Sequence, residues 1–174
     1  PVKKGLYFLS LVLDGLAIIL AYIKINTTFA IMVLVYGLVS KAYSHPTIRL
    51  KKLPVTRWLV AGLFQGLFTL MMCYIGINKY SLENVFKLHV LVPGILSTVM
   101  LWANYPMTQI YQHDEDEKHG DMTLSRKLGI LGTFWFVSAM FSLVTFGFIL
   151  YFLAFFESKY AWTFLATLFP VVAY

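Results

Sequence analysis

Apolar residues run along this chain in long blocks, and the polar ones gather between them. Six blocks stand out, at 6–23, 28–43, 58–77, 88–105, 129–156 and 161–174. A helix that crosses a bilayer needs about 20 predominantly apolar residues, with a range of roughly 17–25. The third, fourth and fifth blocks meet this alone, and the first does with its flanks. The second is short, and Lys41 could extend it by snorkelling to the interface. The sixth is cut off by the end of the chain. No strand-like alternation, fixed-period repeat or Gly/Ser linker interrupts the series. The pattern predicts an all-α integral membrane protein: one multi-pass helical bundle over residues 1–174, whose helices satisfy their own backbone polar groups in lipid.

Composition agrees. The chain is 59% hydrophobic and 13% charged, whereas soluble domains run at about 45–50% apolar and about 25% charged. In a soluble protein the net charge of +6 would point to nucleic acid. In a membrane it is better read as Lys and Arg in cytoplasmic loops facing anionic headgroups. Cys73 is the single cysteine, which excludes an intrachain disulfide.

Alternating the blocks across the bilayer puts Lys3, Lys4, Lys41, Arg49, Lys51, Lys52, Arg57, Lys118, Arg126 and Lys127 on one side. Lys24, Lys79, Lys87 and Lys159 fall on the other. Ten against four assigns the first side to the cytoplasm. Two long polar segments, 41–57 and 106–128, then share that face. The first, "KAYSHPTIRLKKLPVTR", carries no acid, and Pro46 and Pro54 keep it from forming a plain helix. Its plainest role is a positive-inside anchor. The second contains "YQHDEDEKHGD", which holds five of the chain's eight acidic residues. Gln109, Gln112, Asp116 and Gly120 recur there at helical spacing, as one stripe entering the fourth block. A solvated cap needs no such stripe. Oxygen donors on one face suit Mg2+, which binds through one or two carboxylates together with substrate phosphates. A basic segment beside them suits a diphosphate leaving group.

These two segments resemble motifs of the UbiA-type intramembrane prenyltransferases, especially the chlorophyll synthase-like branch. "AYSHPTIRLKK" is similar to the family's Tyr-Ser-x-Pro-x-x-Arg/Lys-Leu-Lys segment. "DEDEKHGDMTLSRKLG" is similar to its second Asp-rich motif, matched at Asp116, Gly120, Thr123, Leu124, Leu128 and Gly129. The resemblance implies a nine-helix bundle, of which about six helices are present here. It implies transfer of a prenyl group from an isoprenyl diphosphate to an aromatic or other lipophilic acceptor, with Mg2+ held by two Asp-rich motifs. By the same resemblance, Asp116 is the catalytic metal ligand. Arg49 and Lys51 contact diphosphate, Tyr43 lines the site, and Gln112 stands where the family usually keeps a second carboxylate. Asp114 or Glu115 could make good that missing charge.

The family's first Asp-rich motif should precede the first block and occurs nowhere in the chain. The expectation is therefore an incomplete domain, inactive by itself, that lacks N-terminal helices. The expected location is a bacterial inner membrane with both polar segments cytoplasmic, and no nucleic-acid partner. The rival reading is a transporter fragment or non-catalytic scaffold, for which Gly62, Gly66 and Pro93-Gly94 are weak hints of interrupted helices.

Among other residues, Asp14 inside the first block is either functional or a structural hydrogen bonder. Gln65 and Asn104 read as interhelical hydrogen bonders. His113 and His119 lie on different helical faces, which argues against zinc.

Overall fold

The computed structural model describes residues 2–44, 54–113, 117 and 123–173. Among these residues six helices follow in order. Helix α1 is Val2–Lys24 and α2 is Thr27–Ser44. Helix α3 covers 54–78 in three parts: α-helical over Pro54–Leu63, π-helical over Phe64–Phe68 and α-helical again over Thr69–Asn78. Helix α4 is Leu88–Gln109, α5 is Leu124–Phe155 and α6 is Ser158–Ala173. Among the described residues, four segments are long and apolar enough to cross a membrane: Gly5–Lys24, Trp58–Asn78, Leu88–Gln112 and Leu124–Phe155. Thr27–Tyr43 is a shorter apolar helix.

The boundaries have local causes. Pro54 opens α3, at a position where a missing N–H costs nothing. Asn26 caps α2 by accepting the Phe29 amide on Oδ1 at 2.8 Å. It also donates to the Tyr80 carbonyl at 3.1 Å, tying the α1–α2 turn to the connection after α3. That connection holds a 3-10 turn, Leu82–Phe86, whose Val85 is buried.

Helices α3 and α4 form the centre. Lipid is as apolar as the side chains, so close fit and hydrogen bonds hold membrane helices together rather than hydrophobic collapse. The fit here depends on small residues. A Cβ on Gly66 would lie 2.6 Å from the Thr98 backbone, and one on Gly94 would meet the Leu67 side chain at 2.5 Å. Gly62 likewise makes room for the Trp102 ring. Trp58 Nε1 donates to the Trp102 carbonyl at 2.8 Å, and Trp102 Nε1 donates to the Leu59 carbonyl at 3.3 Å. Gly62, Gly66 and Gly94 thus serve packing, and α4 runs unbroken through Pro93.

The π-helical turn sits in the middle of this contact. The Thr69 amide reaches the Phe64 carbonyl, the spacing of a π-turn. The Leu67 amide donates sideways to Thr98 Oγ1 at 2.8 Å, and that hydroxyl donates to the Gly94 carbonyl at 3.0 Å. One extra residue in the turn offsets the two halves of α3 by about 100°, the angular step of one helical residue. The later half buries Ile75 in a core with Met32, Val85 and Val90.

Around this pair, α2 packs on α3, α1 on α2, α5 on α4 and α6 on α5. Leu6, Phe8, Leu13 and Ile23 on α1 and Leu131, Trp135 and Leu143 on α5 face outward, as expected where the solvent is hydrocarbon. Asp14 pairs with Lys41 across the α1–α2 contact. Lys41 therefore turns toward an acid rather than simply extending α2 to the interface. Asn104 donates to the Met100 carbonyl of its own helix at 3.0 Å, so it is not interhelical as its sequence position suggested.

Breaking this pair from one side leaves a charge in apolar surroundings, which costs more than removing both partners. Asp14→Leu is therefore expected to lower the Tm in lipid more than the double variant Asp14→Leu/Lys41→Leu. Thermal unfolding of the three proteins in the same lipid checks this; equal losses would contradict it.

Candidate functional site

Helices α2, α3 and α4 line a half-open cavity of about 150 Å³. Its walls are Tyr36, Val39, Ser40 and Tyr43 from α2, Val60, Ala61, Phe64 and Gln65 from α3, and Tyr105 from α4. Tyr36, Ser40 and Tyr43 lie at i, i+4 and i+7, one face of α2. The α3 contribution comes from the half before the π-turn and the turn's first two residues. Aromatic rings dominate the lining, and Tyr36 contacts both Phe64 and Phe68, with ring centroids 6.4 and 6.3 Å apart. Of the residues the sequence singled out for the site, Tyr43 stands in the wall of this cavity. Tyr36, Ser40 and Tyr105 were not anticipated, and Gln65, read as an interhelical hydrogen bonder, instead lines the cavity without a hydrogen bond to a described residue. The α2 residues carried a usable signal in their spacing, whereas Gln65 and Tyr105 are brought in only by helix packing.

Both polar segments leave from this end of the bundle. The basic one follows Ser44, one residue beyond Tyr43, and rejoins at Pro54. The acidic one follows α4, which tightens into a 3-10 turn over Ile110–Gln112. The expected stripe does not continue past α4: Gln109 is buried and Gln112 is exposed. Arg49, Lys51 and Asp116 lie outside the described residues, as do Asp114, Glu115 and Gly120. Glu117 is exposed and stands 3.7 Å from Arg126, a separation that contributes little at a surface.

The two flanks of the acidic segment are joined by a buried polar network. His113 Nε2 and Ser125 Oγ are 2.8 Å apart, and Thr123 Oγ1 lies 3.3 Å from the same hydroxyl. Thr133 donates to the Gly129 carbonyl at 2.7 Å and approaches the Ser125 carbonyl at 3.4 Å. Thr123, Ser125 and Thr133 are each at most 1% exposed, so this end of α5 is fixed. Gly129 interrupts the helix with φ 69° and ψ 173°. That conformation is essentially restricted to glycine. The Leu-Gly that closes the acidic motif thus has a physical reason: it bends the chain between a short first turn and the long membrane span.

Among the described residues no cluster of three His, Cys, Asp or Glu side chains forms. At the opposite end, the Tyr74 hydroxyl lies 3.2 Å from His89 Nε2, and Tyr151 donates to the His89 carbonyl at 2.8 Å. Those contacts lock α3, α4 and α5 together away from the cavity.

Membrane-crossing helices with outward apolar faces define an integral membrane protein of all-helical build. The chain belongs to the UbiA prenyltransferase family, whose model matches residues 2–174. Family membership implies intramembrane prenyl transfer in general. No curated protein and no solved structure matches the chain.

Gly129→Ala is expected to destabilise the protein by about 1–3 kcal/mol, the usual cost of such a backbone conformation in a residue with a Cβ. The added methyl meets nothing within 4 Å, so the loss is conformational rather than steric. Thermal unfolding in lipid reads it; an unchanged Tm would contradict the kink.

Proposed function

We propose that the protein transfers an isoprenyl group from a prenyl diphosphate to an aromatic or other lipophilic acceptor, with Mg2+. The observation that supports this most is the cavity. It is lined by Tyr43, which borders the basic segment, and by Tyr105, two turns before the acidic one. A site for a greasy chain with an anionic head needs that combination: apolar walls inside the bilayer and charge at its edge.

In this reading Arg49 and Lys51 would bind the diphosphate oxygens, Asp116 would be the charged metal ligand, and Gln112 would supply a neutral oxygen. The donor chemistry fits Mg2+, a hard cation that favours oxygen. Gln112 is exposed, and its carboxamide has no hydrogen-bond partner among the described residues. When bound, Mg2+ neutralises charge on the diphosphate and so eases its departure. The ring faces of Tyr36, Tyr43, Phe64 and Tyr105 stabilise positive charge developing on the prenyl group. The surrounding apolar walls keep water from intercepting it. The Ala42–Lys52 segment favours the chlorophyll synthase-like branch, and the Lys/Arg imbalance favours a cytoplasmic site, in a bacterial inner membrane.

In the full-length protein, Asp116→Ala is expected to lower Mg2+-dependent transfer by about 10²–10³-fold, the scale on which one transition-state contact is lost. Gln112→Asp shifts the Mg2+ dependence to lower concentration, because a neutral oxygen becomes an anionic one. Asp114→Ala and Glu117→Ala change the rate little. The measurement is prenyl transfer across a Mg2+ titration; Asp116→Ala behaving like Glu117→Ala would remove the central residue of this reading.

Sidedness has its own check. With Cys73 replaced by Ser, single cysteines at Lys51 and Asp116 are expected to react with a membrane-impermeant reagent from the cytoplasmic side. Labelling of the two positions from opposite sides would separate the two segments.

A further inference from the structure

Helix α2 is too short for the membrane it crosses. Its 18 residues rise about 27 Å, against a hydrocarbon core of about 30 Å. Tilt only widens the deficit. At the cavity end α2 leads into the basic segment, whose charges are excluded from hydrocarbon. Lys41 does not make up the length there, because it turns toward Asp14. The deficit therefore falls at the other end, where Asn26 caps the helix.

That end carries the connection after α3 with it. Asn26 Nδ2 donates to the Tyr80 carbonyl at 3.1 Å, which sets residues 79–87 at the level of a helix end that stops short of the headgroups. The side chains match that depth. Ile77, Leu82, Phe86 and Leu88 are 82%, 49%, 63% and 66% exposed, an arrangement that water would penalise. The backbone is fixed with these side chains outward. Val85 is buried in the 3-10 turn, the Asn84 amide donates to the Ser81 carbonyl at 3.2 Å, and Asn84 Nδ2 donates to the Ser81 hydroxyl at 3.2 Å. A turn that satisfies its own polar groups can enter the edge of a bilayer.

Charge completes the arrangement. Lys79 and Lys87 flank the turn, both exposed, and neither has an ion-pair partner among the described residues. Lys24, which closes α1, is exposed at the same end of the bundle. Glu83 is the one acid between Lys79 and Lys87, so cations prevail. Apolar side chains with lysines at their rim suit a segment that lies in the interface, the lysine stems in hydrocarbon and the ammonium groups among headgroups. We infer that residues 79–87 form an interfacial element that binds anionic phospholipid in the leaflet away from the cavity. Leu82 and Phe86 enter the upper acyl chains, and Lys79 and Lys87 meet the lipid phosphates. This contact needs neither prenyl donor nor metal.

The test uses the full-length protein in nanodiscs holding phosphatidylglycerol and phosphatidylcholine in equal amounts. Cys73 is replaced by Ser, and Leu82→Cys or Phe86→Cys supplies a single labelling site. A nitroxide at either site is expected to collide more often with oxygen than with a water-soluble nickel chelate, the pattern of the lipid interior. A benzophenone at the same sites is expected to crosslink phosphatidylglycerol over phosphatidylcholine by about fivefold, the worth of one lysine near an anionic surface. With Lys79→Gln and Lys87→Gln together, that ratio falls to within about twofold of parity, while the nitroxide stays in lipid. Greater access to the nickel chelate would put the connection in water, and low access to both reagents would put another polypeptide over it. Either result would overturn the inference, as would equal crosslinking of the two lipids with both lysines present, or a preference that survives their substitution.

Discussion

Where α3 crosses α4, the backbone of Gly66 lies against the backbone of Thr98, and the hydroxyl of Thr98 answers the amide of Leu67. Two constraints of the bilayer meet at that point. Helices gain little from burying apolar surface against one another when the solvent is itself apolar, so they must approach closely. Any amide diverted from its own helix must also find a partner, because no water is present to accept it. Glycine meets the first demand and the threonine hydroxyl meets the second. The π-turn survives in the middle of a membrane span because both are present.

That turn separates two tasks within one helix. Before it, Val60, Ala61 and Phe64 face the cavity; after it, Ile75 joins the core with Met32, Val85 and Val90. A straight α-helix of the same sequence would present these faces about 100° out of phase with the present arrangement. The cavity is therefore a by-product of how the centre packs.

The two ends of the bundle are built differently. At the cavity end, buried hydroxyls at Thr123, Ser125 and Thr133 fix the chain on one side of the acidic segment, and His113 meets them from the other. Gly129 then sets the angle at which the long span departs. At the far end, Asn26, Tyr74, His89 and Tyr151 join neighbouring helices through hydrogen bonds to turns and carbonyls. The first arrangement joins the two flanks of the acidic segment; the second closes connections.

The positions of the helices were legible in the sequence, because a bilayer imposes a length and a composition on whatever crosses it. The basic and acidic segments were legible too, because charge has to leave the hydrocarbon. The family could be read from the same two segments. Other features could not be read. Asp14 shows an acid in a span but not that Lys41, beyond the next turn, would pair with it. Gln109 and Gln112 have helical spacing, yet one is buried and the other exposed, which the packing around the end of α4 decides. Nothing local marks Phe64–Phe68 as a π-turn, since its partner hydroxyl comes from Thr98 on a different helix. Hydropathy and charge act residue by residue against the solvent, so the sequence alone determined which segments cross and which stay out. The cavity, the pairing of charges and the aim of Gln65 each depend on two helices in contact, and only the tertiary structure decided them.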